Sequence, residues 1–463
     1  MTTPSGATAP TRLGTVAIAG GSIGGLLAAA AAAPYATRVV IAERDTLPAG
    51  PETRPGTPQA THAHGLLASG RHAIEELLPG TSAELIEHGG VSRGDIGVTG
   101  RWWIGGGLLT DAEIGLTGLT VSRVLLESVL RRRVAALPNV ELRDGTDVTG
   151  LLADPGRRRV TGLRLVTRAS GAAEDLAADL VIDATGRAAR AERWFAEYGW
   201  VPAATERVPV GVRYATTHIA ADPQDLGGRA VVVSGATPEV PRGAALLRQE
   251  GQTYILMLFG YAEDQPPLDP DGFRAFARTI VSPDVAPLLA TRELLEPPRS
   301  YRFPDCRRHR VEDAVLPRGY VAIGDAICSF DPTFGQGMSV AALQAVALRD
   351  TLAAGGSPAD YHRAAAVVVD RAWMVVTGAV RQIPALGAHP GLAENLIARY
   401  IRRAQRAARR DPVVAAQFMR VMNLLADPQS MMHPPIARRV LARGGTRPGP
   451  ARAQATTRTR EPV

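Results

Sequence analysis

The sequence contains no lysine; all 52 of its basic residues are arginine. That absence removes whole classes of chemistry. No lysine Schiff base can form, no P-loop lysine can reach a phosphate, and no amine can carry an activated oxygen or halogen. Cysteine is almost as scarce, with Cys306 and Cys328 alone and no C-x-x-C pair. A disulfide framework, a dithiol centre and a zinc cluster are therefore unsupported, and both residues read as small buried hydrophobes. Long apolar runs are missing too: the longest, Ile23 to Ala33, is too short to span a bilayer. The opening MTTPSGATAP has no basic segment followed by an apolar one, so it does not read as a signal peptide, and a cytoplasmic protein is expected. Charged residues are 21% and the net charge is +7. Apart from Arg131–Arg133, Arg157–Arg159 and the Arg399–Arg410 stretch, the arginines are scattered. No basic helix is interleaved with aromatics, so nucleic acid is not an expected partner.

What is present begins with a strand at Thr15–Ala19, a glycine-rich turn, an alanine-rich helix ending before Pro34, and a second strand at Thr37–Ala42. This is a β-α-β unit, whose parallel strands require the crossover helix. Residues 46–65 form a long Pro/Gly/Thr-rich loop of the kind that tends to serve function. A helix is expected near His72–Leu78, and a stronger one over Ser122–Leu137 with Ser122 as its cap. Strands follow at Val140–Leu142, Val148–Leu152, Val160–Thr167 and Leu180–Asp183. From Thr205 to Tyr261 the pattern is strand-rich, reading as an antiparallel sheet that walls a substrate chamber. The chain then returns to the first lobe at Gly319–Ala326 and continues into a helix from Ser339. The fold class is α/β: a Rossmann-like nucleotide-binding domain (13–89, 119–204, 300–384) interleaved with a substrate domain (90–118, 205–299). Helices over 385–443 and a disordered tail over 444–463 complete it. The helical region is expected as a cap on the nucleotide-binding lobe.

Two motifs carry the chemistry. The first is the turn Gly20-Gly21-Ser22-Ile23-Gly24-Gly25 between strand and helix. In a G-x-G-x-x-G fingerprint the first glycine makes the turn, the second admits the pyrophosphate and the third lets helix and strand approach. Gly20 and Gly25 hold the outer positions here, and Ser22 replaces the middle glycine. Glu43, 23 residues after Gly20, ends the second strand, where a carboxylate accepts from a ribose diol; Arg44 beside it faces adenine or phosphate. An acid at that position disfavours a 2′-phosphate, so the turn suits FAD or NAD. The second motif is Gly324-Asp325-Ala326 at a strand end, followed by Asp331-Pro332-Thr333-Phe334-Gly335-Gln336-Gly337-Met338 opening a helix. A carboxylate there can hold a ribityl hydroxyl, and a helix N-terminus favours the anionic reduced flavin. The pair of motifs points to FAD.

The order GGSIGGL, ER, SRVLL, DATGR and GDAICSFDPTFGQGMSV resembles the group A flavoprotein monooxygenases, the p-hydroxybenzoate hydroxylase fold, over roughly residues 13–400. The resemblance implies that Arg123 contacts the FAD pyrophosphate or ribose, Asp325 the ribityl chain, and Val148 the adenine through its backbone. It places Pro332, Gly335, Gly337 and Met338 around the isoalloxazine ring, with Gln336 in the same turn. The loop Arg54–His64 is similar to one in bacterial flavin epoxidases that act on polyene chains of polyether polyketides. Such enzymes take electrons from NAD(P)H, directly or through a separate flavin reductase, and O2 as co-substrate. The resemblance therefore implies oxygen transfer from a flavin C4a-hydroperoxide to an apolar polyketide intermediate, free or bound to a carrier protein, with alkene epoxidation foremost.

No acid–base constellation stands out, so no catalytic residue is assigned. Alkene epoxidation needs none, whereas a phenol hydroxylase benefits from a base. His64, Trp102, Tyr214, Met257 and Phe259 are the candidate substrate contacts, and His62 and His64 alternate so as to face opposite sides. A metal site on these histidines lacks a third ligand nearby in sequence. The competing readings are an aromatic-ring hydroxylase, a geranylgeranyl-reductase-like enzyme that saturates double bonds, and a non-oxidative cyclase or scaffold containing FAD. A flavin halogenase is set aside because the chain has no lysine.

Overall fold

The computed structural model describes residues 12–188, 190–387 and 391–445; most of the tail expected over 444–463, and the leading segment, lie outside the described residues. Five parallel strands form the first sheet, in the spatial order Tyr320–Ala322, Leu180–Asp183, Leu13–Ala19, Ala36–Ala42, Val140–Arg143. Its central strand is closed off from water on both faces from Val16 to Ala19, the continuous apolar burial that a parallel sheet covered on both sides demands. The helix Ile23–Ala32 that crosses over it is buried almost all round. Its alanines let it lie close. A methyl group on Gly25 would come within 1.9 Å of the Gly20 carbonyl, so the third fingerprint position admits glycine alone.

The second sheet has eight strands, in the order Cys328–Ser329, Arg299–His309, Thr205–Ala220, Thr253–Tyr261, Arg242–Gln249, Val231–Ser234, Gly100–Ile104, Gly107–Leu108. Alternation along Thr253–Tyr261 splits its side chains between two cores. Ile255, Met257, Phe259 and Tyr261 face the main core. Tyr254, Leu256 and Leu258 face a second one beneath the helices Pro270–Ala277 and Val285–Thr291. Full burial of a leucine there contributes about 1.5–3 kcal/mol, so each face is held independently. A three-stranded antiparallel sheet, Thr146–Ala153, Val160–Thr167 and Ala173–Ala177, is appended to the first lobe.

Two boundaries differ from expectation. The strand Arg299–His309 pairs along Thr205–Ala220 and joins the substrate sheet, so residues 300–309 fall outside the nucleotide-binding lobe, to which the chain returns at Tyr320, within the expected Gly319–Ala326 strand. The C-terminal helices Leu392–Ala408, Pro412–Met422 and Pro434–Arg443 touch that lobe, through Asn423 on the Ala68 amide and Glu394 on Arg381, but lean on the substrate domain as well. Their apolar sides pack on Leu109, Ala112 and Ile114 of the segment after the tryptophan hairpin. Amphipathic periodicity reveals that a face is buried but not against what, and here the segment after the strand Gly107–Leu108 supplies most of the partner, with Val375 beside it. Asp411 locks the group by accepting from the Val413 amide at 3.0 Å and from Arg439 Nη1 at 3.0 Å. Among the described residues, no helix is long and apolar enough to cross a membrane.

Candidate active site

At the glycine turn Gly20 adopts φ +106°, a conformation that L side chains rarely reach. Ser22 occupies the cap position of the following helix, but its side chain does not cap. It donates to Glu127 Oε2 at 2.9 Å and accepts from Arg123 Nη2 at 2.8 Å. The first amides of the helix are thus left for an anion, which the helix dipole also favours. No protein atom lies within 4 Å of where a Gly24 methyl would sit. Glu43 is buried at the strand end, with Oε2 accepting from the Gly21 amide at 2.8 Å and Oε1 from the Asp45 amide at 3.0 Å. The carboxylate is aimed by these bonds and retains lone pairs for a diol. Arg44 is exposed, 3.8 Å from Asp45. Val148 is buried, and its carbonyl accepts from Arg190 at 3.0 Å.

A network that sequence reading missed underlies this turn. Arg54, 6% exposed, pairs with Asp45 at 2.8 Å, Glu127 at 2.9 Å and Glu43 at 3.2 Å. Glu127 also meets Arg123 at 3.1 Å. Arg54 opens the loop that carries His62 and His64, so this buried cluster fastens that loop to the nucleotide end. The spacing of Glu127 four residues after Arg123 on a helix was the available signal.

At the other motif, Asp325 keeps solvent-accessible surface, yet its crowded surroundings push its carboxyl up, against the pull of Arg123 and Arg187. Gly335 takes φ +65° and lies against Gly65, bringing the two loops together. Asp331, fully buried, accepts from the Thr333 amide at 2.9 Å and from the Tyr261 hydroxyl at 2.6 Å. Burial pushes its carboxyl up, and the same burial beside Asp331 raises the Tyr261 hydroxyl well above the ordinary tyrosine range. This pair ties the flavin turn to the substrate sheet. Gln336 is fully buried with neither amide atom partnered among the described residues, and Arg123 Nε is in the same condition. Beside Gly337 there is again open space. Orphaned buried donors and acceptors are costly. A cradle with free amides, two such groups and an accessible carboxylate fits FAD along its whole length. Met338 is part-buried against the core, and Pro332 borders the chamber described next.

A chamber of about 1120 Å3 opens on the 332–335 turn and runs beneath the C-terminal helices. Its walls are mainly apolar, including Trp102, Ile104, Val233, Met257 and Phe259. His64 also lines it, with Nδ1 donating to the His62 carbonyl at 2.9 Å. Burial, and then Arg123, holds the His64 imidazole down at about 3, so it is neutral with Nε2 as an acceptor. Trp102 satisfies its indole N–H on the Ile96 carbonyl at 3.0 Å. Tyr214 departs from expectation and does not line the chamber. It shares a sheet face with its pairing partner Phe259, but His62 covers it edge-on at 4.9 Å and Tyr301 stacks on it at 5.4 Å. His62 bonds Thr216 at 2.9 Å, and burial, then Arg299, lowers it to about 4.

The chain is similar to known flavoproteins. Residues 15–207 match the family described as FAD dependent oxidoreductase. Protein Rv3254 of Mycobacterium tuberculosis is 34% identical over 453 residues, covering 92% of each chain. Among solved structures, the flavin-dependent brominase Bmp2 superposes with a TM-score of 0.64 at 15% identity, over 92% of this chain and 98% of that one. The p-nitrophenol 4-monooxygenase PnpA from Pseudomonas putida DLL-E4 gives 0.62 at 16% identity, over 90% and 99%. At such identities the superpositions speak to the fold alone.

Proposed function

Since the chain belongs to the FAD-dependent oxidoreductases and FAD is its cofactor, we propose that it is a monooxygenase that transfers one oxygen atom to an alkene of a long apolar substrate. The observation that carries this reading is the chamber beside the flavin turn. It is large, apolar, and carries no acid–base pair next to that turn among the described residues. His64 is held neutral there and the Tyr261 hydroxyl is committed to Asp331. Oxygen transfer to an alkene requires no base to activate the substrate, and a water-excluding pocket suits it. Bound FAD supplies the redox chemistry, taking electrons from NAD(P)H and oxygen from O2, as is typical of the class.

In this reading Gly20, Ser22, Ile23, Gly24, Gly25 and Arg123 hold the pyrophosphate, Glu43 the ribose, and Arg44 and Val148 border the adenosine. Gly324 and Asp325 orient the ribityl chain, while Pro332, Gly335, Gln336, Gly337 and Met338 enclose the ring. His64, Trp102, Met257 and Phe259 position the substrate. A polyene polyketide intermediate, free or on a carrier protein, fits the chamber's length and lack of polarity. Electrons come from NAD(P)H directly or from a separate reductase.

The test uses FAD-loaded protein with NADPH, isotopically labelled oxygen and a series of polyenes. The expected product gains one labelled oxygen atom, with one O2 consumed. A product that gains two hydrogens instead identifies a reductase. A product of unchanged composition, with no O2 consumed, identifies a cyclase or scaffold.

A further inference from the structure

The chamber is not apolar throughout. The helix Leu392–Ala408 runs over its roof, and three arginines on or just past that helix, Arg402, Arg406 and Arg409, line the cavity. Spacings of four and three residues put them on one helical face. Each spends an arm on a neutral oxygen. Arg402 Nη1 donates to Gln382 Oε1 at 3.2 Å, Arg406 Nε to the Gly444 carbonyl at 3.1 Å, and Arg409 Nη2 to the Gly105 carbonyl. None of the three forms an ion pair with a carboxylate of the described residues, and Arg409 Nε is buried without a partner. Burial, then the neighbouring Arg406 and Arg410, destabilises the Arg409 cation. Of the two carboxylates on the same cavity, Glu394 is already paired with Arg381 at 3.0 Å, and Glu239 stands exposed on the opposite turn. Arg402 is exposed and Arg406 and Arg409 are half-buried, and positive charge held part-way out of water on an apolar wall favours an anion that answers it.

The position of this cluster matters as much as its charge. Tyr261, bonded to the flavin turn, lies two residues from Phe259 on its strand. From the adjacent Leu258 the sheet passes through Ala244 and Ser234 to Trp103, each step a paired strand. Gly105, which Arg409 holds, is two residues beyond Trp103. Three strand spacings of about 4.8 Å separate the flavin side from the arginines by roughly 14 Å. We infer that Arg402, Arg406 and Arg409 form an anion subsite that grips the oxyanion head of an elongated substrate, leaving its apolar body to reach the flavin turn. The substrate class is thus an amphiphile, ending in a carboxylate as a free acid or in the phosphate of a phosphopantetheinyl arm. The inference rests on the chamber being the substrate site proposed above.

Binding can be measured without turnover on the oxidised, FAD-loaded chain, using the fluorescence of cis-parinaric acid, its methyl ester and its phosphopantetheine thioester. The acid or the thioester should bind about tenfold more tightly than the neutral ester, the yield of a charge-assisted contact part-exposed to water. Preference for the acid identifies a free substrate, and preference for the thioester a carried one. In R402Q/R406Q that advantage should vanish while the ester's affinity stays within about twofold. If the double variant fails to fold, raising the salt concentration on the native protein should erode the anion's advantage and spare the ester. Equal binding of all three probes, no saturable binding, an advantage that survives both R402Q/R406Q and salt, or a parallel loss of ester affinity overturns the subsite. No NADPH or oxygen chemistry enters this measurement. A protein that passes here but oxidises no polyene refutes the oxygen-transfer reading while keeping the subsite.

Discussion

Gly24 and Gly25 are adjacent and of one type, yet they should respond to the same substitution in opposite ways. A methyl on Gly25 has no room, at 1.9 Å from the Gly20 carbonyl, whereas one on Gly24 enters open space. Gly25→Ala should therefore destabilise the fold by several kcal/mol, on the order of other overpacking changes or more. Gly24→Ala, within a helix, should leave the melting temperature of the FAD-free protein unchanged or raised by the gain of about 1 kcal/mol in helix propensity. If the pyrophosphate sits on this turn as proposed, the substitution should nevertheless weaken FAD retention by filling that space. Gel filtration followed by the ratio of flavin to protein absorbance reads both effects. By the same assay Asp325→Ala should lower FAD affinity roughly ten- to hundredfold, the value of a charge-assisted hydrogen bond; normal retention would place the ribityl chain elsewhere. The places of these residues in the fold, a glycine turn and an acid at a strand end, could be read from the sequence because turn and strand signals are local. Tyr214 could not. Alternation shows which face of a strand a side chain takes, but not that a histidine from residue 62 will cover it.

At the scale of elements, the loop after the second strand is held by charge. Arg54 bridges Asp45, Glu43 and Glu127 while nearly inaccessible to solvent. Glu127→Gln removes one carboxylate from beneath two buried guanidinium groups, Arg54 and Arg123, and should cost about 3–5 kcal/mol. Because the loop continues into His62 and His64, the surviving folded fraction should show faster proteolysis within residues 46–65 than the native protein. Unchanged cleavage there would mean the cluster does not restrain the loop. The helix–strand grammar of the first lobe was legible because period and capping are local properties; Ser122, for instance, does cap its helix, accepting from the Leu125 amide at 3.2 Å. The strand Arg299–His309 was not foreseen, and its residues fell within the span given to the nucleotide-binding domain, because its pairing with Thr205–Ala220 joins segments some hundred residues apart in sequence, and nothing local announces a partner at that distance.

Over the described residues, burial holds histidines in the neutral state, most strongly His62, His64 and His362. His62 and His362 are held down at about 4 and His64 at about 3, burial being the leading cause in each. Unfolding releases them to an ordinary value near 6.5. The unfolded chain thus binds more protons below that pH, so stability rises with pH through this window. Their contribution is complete above about pH 6.5 and is lost as pH falls toward 4, at up to about 1.4 kcal/mol per pH unit for each group. Melting temperature should fall over that range, and His362→Gln, whose ring accepts from the Ala322 amide at 3.3 Å, should flatten the slope by one proton's worth. A slope unaffected by the substitution would show that His362 is protonated when folded. One architectural feature reaches beyond stability. The turns at Gly20–Gly25 and Gly324–Met338 lie some three hundred residues apart along the chain, but most of the roof of the chamber comes from residues 374–432, packed on the segment Leu109–Ile114 and on the end of the helix Pro358–Val380. Substitutions in that roof can therefore reshape what the chamber admits without touching either glycine turn, so the two halves of the molecule can be altered one at a time.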